Sequence, residues 1–222
     1  MPNFFVERDG DRAVILGDDA RHLARSLRAR VGEVIEVVDP KGLMLTLRLD
    51  QVSPERVAGA VIAERAHNPE PSARIVIAIA HLPAPALELV LSRCTEAGAA
   101  GFHVVQADRS VARGSKLDRW RTICRESAML AGRLVVPEVT GPFPLDEVLR
   151  LSESPVMLAR SAPLRLADVV EPQNLTLLVG PEGGWSDREL ALVPQKASLG
   201  PRNLRADTAA LVALATALAG RL

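Results

Sequence analysis

The chain has 222 residues, of which 48% are hydrophobic and 24% are charged, a composition that argues against a disordered chain and allows a large buried core. Its 27 basic side chains balance its 27 acidic ones, so the overall charge predicts no nucleic-acid partner. No apolar run reaches the length of a membrane span, and the starting stretch MPNFFVERDGD lacks the apolar core of a signal peptide. We therefore expect a cytoplasmic protein.

The positive charge is distributed unevenly along the chain. Arg21, Arg25, Arg28 and Arg30 lie in a stretch without an acidic residue, and residues 109–133 hold seven basic side chains against two acidic ones. Such clusters form either solvated helix faces or anion-binding surfaces, and the sequence leaves both interpretations open.

The chain has two cysteines, Cys94 and Cys124, each in a segment of helical pattern. The sequence contains no CxxC or HExxH motif, the usual signs of a zinc site. We expect both thiols to be buried without a disulfide, and we expect no bound metal.

The first third of the chain is rich in strand-forming residues. A short helix is predicted at 18–29, with Asp18 or Asp19 as its cap. Two apolar runs then flank an Asp-Pro-Lys-Gly turn at 39–42, a pattern typical of a β-hairpin. The proline-rich stretch HNPEPSA at 67–73 predicts a linker to a second domain.

From residue 74 onward, apolar runs that predict buried strands alternate with segments of helical periodicity. This alternation predicts an α/β domain with a mainly parallel sheet. The predicted strands lie at 74–80, 102–106, 156–159 and 175–179, and the predicted helices at 84–98, 115–131 and 207–219.

Two glycine-rich loops come directly after apolar runs near the C-terminus. Residues 178–189 read LVGPEGGWSDRE, and residues 199–208 read LGPRNLRADT. Ser186 and Glu189 form a predicted capping box, so the first loop is short and leads directly into a helix. Ligands of open α/β sheets bind beyond the carboxyl ends of the strands, where this loop must lie.

The residues of the first loop restrict the class of ligand. The sequence has neither GxxxxGK[ST] nor GxGxxG, the usual phosphate-binding motifs. Glu182 lies within the loop, where its charge would repel a phosphate but tolerate a cation or bind a hydroxyl. S-adenosylmethionine, a sulfonium that carries adenosine, fits this description. A tight turn without any ligand is the alternative interpretation.

The two loops, LLVGPEGGWSDREL and LGPRNLRADTAALVAL, together resemble the motifs of the RsmE-type 16S ribosomal RNA uridine-N3 methyltransferases, a family of the SPOUT superfamily. The resemblance extends upstream to TEAGAAGFHVVQADRSV, to GRLVVPEV, and to HLARSLRARVGEVIEVVDPKG near the N-terminus. It therefore covers nearly the whole chain, and its two C-terminal motifs are specific.

The resemblance implies an α/β fold with two domains. Residues 1–70 would form a small PUA-like β-barrel that binds RNA, and residues 71–222 a SPOUT-type methyltransferase domain tied in a trefoil knot. The family is homodimeric, with each methyl-donor pocket completed at the subunit interface. By this resemblance the donor, S-adenosylmethionine, would contact Leu158, Val179, Gly180, Pro181, Glu182, Gly183, Gly184, Leu199, Gly200, Asn203 and Leu204.

The implied reaction makes a clear demand on the site. Uridine N3 is a poor nucleophile until it loses its proton, so an enzyme needs a proton acceptor or a cation beside the developing anion. We expect Arg205 to stabilise this charge and Asp207 to act as base or to orient the arginine. An ion pair that merely caps the last helix is the alternative. The residues expected to bind 16S ribosomal RNA are Arg25, Arg28, Arg109, Arg113 and Arg133.

Some positions depart from the family pattern. Asn3 stands where an arginine is usual, Met129 and Leu130 replace polar residues, and Asp207 is shorter than the usual glutamate. These departures leave the donor loops intact but reduce the set of RNA-facing polar residues. Two alternatives therefore stay open: an RNA-binding or ribosome-assembly protein with little catalysis, and a methyltransferase for another RNA base.

Overall fold

The structure, a computed structural model, describes residues 2–169 and 173–219. Contacts along the chain divide it into two compact units. Unit 1 contains residues 2–70 together with Ala128–Val135, and unit 2 contains Pro71–Ser127 and the described residues from Val136 onward.

Unit 1 is built on a six-stranded sheet with the order β1-β4-β5-β6-β3-β2. The pair β1–β4 is parallel and all the others are antiparallel. These strands are β1 (Phe4–Phe5), β2 (Glu7–Asp9), β3 (Arg12–Leu16), β4 (Val34–Asp39), β5 (Leu43–Val52) and β6 (Arg56–Ala66).

The predicted hairpin is confirmed. Val34 pairs with Arg48 at one end of β4–β5, and Asp39 pairs with Leu43 at the turn. The Asp39 carboxylate accepts the N–H of Lys41 at 2.9 Å, and its carbonyl accepts the N–H of Gly42 at 3.0 Å. The aspartate side chain therefore stabilises the turn that sets the register of both strands.

The helix predicted at 18–29 is shorter and is capped differently. Helix α1 spans Gly17–Arg21 and runs on into a π-helical turn at His22–Ser26. Its N-cap is Leu16, the last residue of β3, whose side chain has no acceptor to cap the helix. The prediction of Asp18 or Asp19 as cap is therefore wrong, since both lie within the first turn.

The segment Ala128–Val135 belongs to unit 1 although the chain enters it from unit 2. Met129 is 6% exposed and packs into the unit 1 core, which includes Phe4 and Leu47. The Met129 carbonyl accepts the N–H of Asn3 at 2.8 Å. The boundary predicted at residue 70 misses this segment. Its first residues continue the helical pattern of α3, so the sequence gives no sign that the chain returns to unit 1.

Unit 2 contains a six-stranded sheet with the order β12-β10-β11-β7-β8-β9, in which all pairs are parallel. This confirms the predicted α/β class with a mainly parallel sheet. The strands are β7 (Arg74–Ala80), β8 (Gly101–Gln106), β9 (Glu138–Pro144), β10 (Pro155–Leu158), β11 (Asn174–Val179) and β12 (Lys196–Ala197).

The helices predicted in this part of the chain are also confirmed, with ends within two residues. They are α2 (Ala84–Glu96), α3 (Leu117–Ala131) and α7 (Ala206–Leu218), and the shorter helices are α4 (Leu145–Leu151), α5 (Leu166–Val169) and α6 (Asp187–Leu192). Cys94 and Cys124 are fully buried and are not joined in a disulfide, as expected. Across the described ranges, no helix is both long enough and apolar enough to cross a bilayer.

Strand β9 is absent from the sequence-based prediction, because Pro142 and Pro144 interrupt its apolar pattern. The strand lies at one edge of the sheet, where proline is tolerated because no ladder hydrogen bond is needed on the open side. The central neighbours β10, β11 and β7 are continuous apolar runs, and their carboxyl ends meet at the same edge of the parallel sheet.

Candidate functional site

A cavity of about 490 Å³ lies where the loops after β10, β11 and β12 meet. Its volume is within the range of small-molecule sites. The structure brings ten of the eleven predicted donor-binding residues around it: Leu158, Val179, Gly180, Pro181, Glu182, Gly184, Leu199, Gly200, Asn203 and Leu204. Gly183 is the exception, and its carbonyl accepts an Nη1–H of Arg109 at 2.8 Å.

The loop after β11 is held in shape by its own backbone and by the helix that it leads into. The Gly184 N–H donates to the Pro181 carbonyl at 2.8 Å, and Gly184 adopts a left-handed φ of 72°. The predicted capping box of α6 is present. The Ser186 Oγ accepts the Glu189 N–H at 3.2 Å, and the Glu189 carboxylate accepts the Ser186 N–H at 2.8 Å.

Trp185 supports the base of this loop. Its Nε1–H donates to the Leu158 carbonyl at 3.2 Å, which connects the ends of β10 and β11. A β-carbon on Gly180 would lie 3.0 Å from the indole ring, so any other residue there would have to displace the ring by a few tenths of an ångström. Because Trp185 is 6% exposed, it is a packing residue rather than a platform for a stacked base.

The loop after β12 forms the opposite wall. Gly200 has a φ of 96°, which favours glycine. Ala206 and Ala209 at the start of α7 also line the cavity, and their small side chains leave its volume open. The walls thus combine apolar side chains and exposed backbone, which suit a flat heterocycle, with one carboxylate, Glu182.

The predicted catalytic pair lies at the beginning of α7. Arg205 is the N-cap residue, and its side chain is 71% exposed. One of its guanidinium nitrogens is 3.4 Å from the carboxylate of Asp207, whose side chain is 11% exposed. Asp207 also accepts the N–H of Thr208 at 2.6 Å. Asp207 is therefore held in place, whereas most of the Arg205 side chain faces solvent.

The other predicted RNA-binding arginines are distributed over both units. Arg25 and Arg28 are exposed on unit 1, and Arg28 has an unusual left-handed φ of 56°. Arg109 lines the cavity in unit 2, and exposed Arg113 donates to the carbonyls of Ser110 and Ala112.

The structure argues against the prediction that Arg133 binds RNA. The residue is 4% exposed, and its guanidinium donates to the Glu70 carboxylate at 2.6 and 3.1 Å. The same carboxylate accepts the backbone N–H of Leu134 at 2.8 Å. The ion pair neutralises the charge that a phosphate would need, and it joins the segment Ala128–Val135 to Glu70 within unit 1. Its partner lies in the segment that the sequence predicts to be a linker.

Two arginines at the cavity are missing from the sequence-based prediction. Arg160 and Arg202 both line it and are exposed, and within the described chain neither forms an ion pair. Arg202 belongs to the second glycine-rich loop, and Arg160 lies two residues beyond the end of β10. Together with Arg109, they give the lining of the cavity three guanidinium groups and one carboxylate, that of Glu182.

The segment after β8 contributes a carboxylate whose pKa is lowered. Asp108 accepts hydrogen bonds from Arg188 at 2.5 and 3.2 Å and from the Ser186 hydroxyl at 2.5 Å. These hydrogen bonds hold the pKa of Asp108 below its ordinary value of 3.8, and the bond from Arg188 has the largest effect. The sequence does not reveal this role, since the partners of Asp108 lie far along the chain.

The lowered pKa predicts how stability responds to acid. Asp108 stabilises the folded chain at pH values above 3.8, and this contribution disappears as the pH falls through the lower pKa of the folded state. In urea unfolding, the difference between wild type and Asp108→Asn should be constant from pH 7 to about pH 5 and then decrease towards pH 3. An unchanged difference at pH 3 would contradict this assignment.

Comparison with known proteins places these features in a family. The model of the RNA methyltransferase domain matches residues 68–218. The chain is 32% identical to ribosomal RNA small subunit methyltransferase E of Mycobacterium bovis, over 92% of this chain and 85% of that protein. It is 31% identical to the protein of the same name from Synechocystis, over 87% of this chain and 68% of that protein.

A solved structure shows the same likeness. Ribosomal RNA small subunit methyltransferase E from Neisseria gonorrhoeae, crystallised with bound S-adenosylmethionine, superposes with a TM-score of 0.87 at 26% identity. The match covers 97% of this chain and 95% of that one. The resemblance inferred from the two glycine-rich loops is confirmed. The chain belongs to the RNA methyltransferase domain family, among the ribosomal RNA small subunit methyltransferases E.

Proposed function

We propose that the chain is an S-adenosylmethionine-dependent methyltransferase that methylates N3 of a uridine in 16S ribosomal RNA. One observation carries this proposal: two glycine-rich loops, separated in the chain by α6 and β12, enclose a cavity of about 490 Å³ at the carboxyl edge of a parallel sheet. Family membership and the donor bound to the Neisseria gonorrhoeae relative support the same conclusion.

The residues around the cavity fit the methyl donor. Leu158, Leu199 and Leu204 offer apolar surface to an adenine ring, and the backbone of residues 179–184 offers hydrogen bonds to its edge. Glu182 supplies a carboxylate for a hydroxyl or a positive charge. When bound, S-adenosylmethionine supplies an electrophilic methyl group attached to a sulfonium.

At the acceptor, the chain must favour loss of the N3 proton. We assign Arg205 to the stabilisation of the negative charge that develops on the uracil ring, because its exposed guanidinium is free to reach a substrate outside the cavity. Asp207 orients that guanidinium at 3.4 Å. The low exposure of its side chain favours this orienting role over proton transfer to solvent.

RNA is held by arginines. Arg109, Arg160 and Arg202 line the cavity, and Arg113, Arg25 and Arg28 add charge elsewhere on the two units. A guanidinium binds phosphate through two parallel hydrogen bonds, which suits a nucleotide whose base must be turned out of its stack before it reacts.

Removing the two newly recognised arginines tests this binding role. The double variant Arg160→Ala, Arg202→Ala should bind a small-subunit RNA fragment about tenfold more weakly, and the salt dependence of its affinity should decrease by about 1.5 in log–log slope. Filter binding at several salt concentrations measures both. Arg150→Ala, Arg165→Ala is the matched control, because both arginines are exposed in unit 2 but pair with nearby aspartates. Equal effects in the two variants would contradict the assignment.

We also propose the finer architecture that the family resemblance implies. Residues 1–70 would act as a PUA-like barrel domain and residues 71–222 as a SPOUT domain with a trefoil knot. The mainly antiparallel sheet of unit 1 and the strand order of unit 2 support this assignment. We further propose that the chain works as a cytoplasmic homodimer whose donor pockets are completed at the subunit interface.

Titration calorimetry tests the donor pocket. The purified chain should release saturable heat with S-adenosylmethionine, and S-adenosylhomocysteine should compete for the same site. Absence of heat at millimolar donor would contradict the proposal.

A further inference from the structure

The donor-binding loop is tied to the segment after β8 by one buried carboxylate. Glu189, in α6, is fully buried. One of its oxygens accepts the N–H of Ser186 at 2.8 Å, at the end of the loop that carries Gly180 and Glu182. The other accepts the N–H of Asp108 at 2.9 Å, in a segment 81 residues earlier in the chain. Glu189 therefore joins two loops through one side chain.

A second set of contacts joins the same two loops without involving the Glu189 carboxylate. Asp108 accepts the Ser186 hydroxyl and the Arg188 guanidinium, both at 2.5 Å. Arg109 donates to the Gly183 carbonyl at 2.8 Å. The two loops are thus held together on both sides of Glu189, and Arg109 itself lines the cavity.

Helix capping explains only part of this arrangement. A capping box needs the glutamate to accept the N–H of its own N-cap residue, here Ser186, and nothing more. The bond to Asp108 is not part of that capping box. It instead places the backbone that precedes Arg109 at a fixed distance from the donor loop.

We propose that Glu189 is a positioning residue for methyl-donor binding, which holds the loop of residues 180–186 against Asp108 and Arg109 in the shape that forms one wall of the cavity. This inference rests on the proposed function. A buried carboxylate that accepts two N–H groups cannot be replaced by an amide without loss, because the amide directs its own N–H₂ at one of the donors.

Glu189→Gln tests the inference, with Glu70→Gln as the matched control. Glu70 is also a largely buried carboxylate that accepts backbone N–H groups, from Leu134 and Val135, but it lies in unit 1. Both variants should lose stability. In calorimetry with S-adenosylmethionine, Glu189→Gln should bind at least tenfold more weakly than wild type, whereas Glu70→Gln should stay within twofold.

Hydrogen exchange without any ligand gives an independent measurement. In Glu189→Gln the amides of Asp108 and Ser186 should exchange faster than in wild type, while Glu70→Gln should leave both unchanged. If Glu189→Gln does not fold, the double variant Asp108→Asn, Ser186→Ala removes the Ser186 hydroxyl bond and the charge that Arg188 pairs with, and it should weaken donor binding at least threefold.

The outcomes separate the two proposals. A folded Glu189→Gln that binds the donor as tightly as wild type overturns the positioning role and leaves the proposed function standing. So does unchanged donor affinity in Asp108→Asn, Ser186→Ala when that variant has to be used. Wild-type protein that binds no S-adenosylmethionine overturns both.

Discussion

Arg205→Ala should lower kcat for methyl transfer at least 100-fold while changing the affinity for S-adenosylmethionine less than threefold. Removal of one group that stabilises a developing anion typically costs a factor of 100 to 1,000, or roughly 3 to 4 kcal/mol. The Arg205 side chain is 71% exposed and does not line the cavity, so the donor should bind without it. Single-turnover transfer to small ribosomal subunits, with the donor saturating, measures the effect.

Arg165→Ala is the matched control for this variant. The Arg165 side chain is also 71% exposed and bridges an aspartate close in sequence, Asp168, at 3.0 Å. Its removal should leave kcat within twofold of wild type. Wild-type turnover in Arg205→Ala would refute the catalytic assignment, and a parallel loss of donor affinity would move Arg205 to the donor site. Asp207→Asn should lower kcat less than Arg205→Ala does, since it removes only the charge that orients the Arg205 guanidinium.

Gly180→Val should weaken binding of S-adenosylmethionine at least 100-fold, about 2.7 kcal/mol. A β-carbon added at Gly180 would lie 3.0 Å from Cε2 and Nε1 of Trp185, and valine would add two further carbons beyond it. The indole donates a hydrogen bond to the Leu158 carbonyl, so displacing it either breaks that bond or moves the end of β10. Calorimetry measures the loss, and circular dichroism checks that the variant remains folded.

A neighbouring glycine provides the control for Gly180→Val. A β-carbon at Gly183 would lie 3.5 Å from the Arg109 side chain, an ordinary van der Waals contact, and Gly183 does not have a left-handed φ. Gly183→Ala should therefore bind the donor within threefold of wild type, whereas Gly180→Ala should weaken binding about tenfold. Equal affinity in the two alanine variants would show that the Trp185 contact does not shape the cavity.

The parallel sheet and the donor loops could be predicted because their determinants are local in sequence. The apolar run at 74–80 gives β7, and the capping box of Ser186 and Glu189 specifies where α6 begins. Ten of the eleven residues predicted to bind the donor surround one cavity for the same reason. Each belongs to a short motif at the end of a strand, and parallel strands place those ends together.

Other features depend on partners distant in sequence and could not be predicted. Arginine is a common phosphate-binding residue, yet the charge of Arg133 is neutralised by Glu70 in a buried ion pair. Glu189 has the pattern of a simple helix cap, while its second oxygen binds Asp108. Arg160 lies at the cavity because β10 sits between β11 and β12, an order that periodicity does not reveal.

Nucleoside analysis of labelled ribosomal RNA tests the central claim most directly. Small subunits from a strain lacking this protein are incubated with the purified chain and S-adenosylmethionine bearing a deuterated methyl group, and the 16S RNA is digested to nucleosides for mass spectrometry. The account predicts deuterated 3-methyluridine as the labelled product, formed at least 100-fold more slowly when Arg205→Ala replaces wild type. Label in another nucleoside, or no label with wild-type protein, would contradict it.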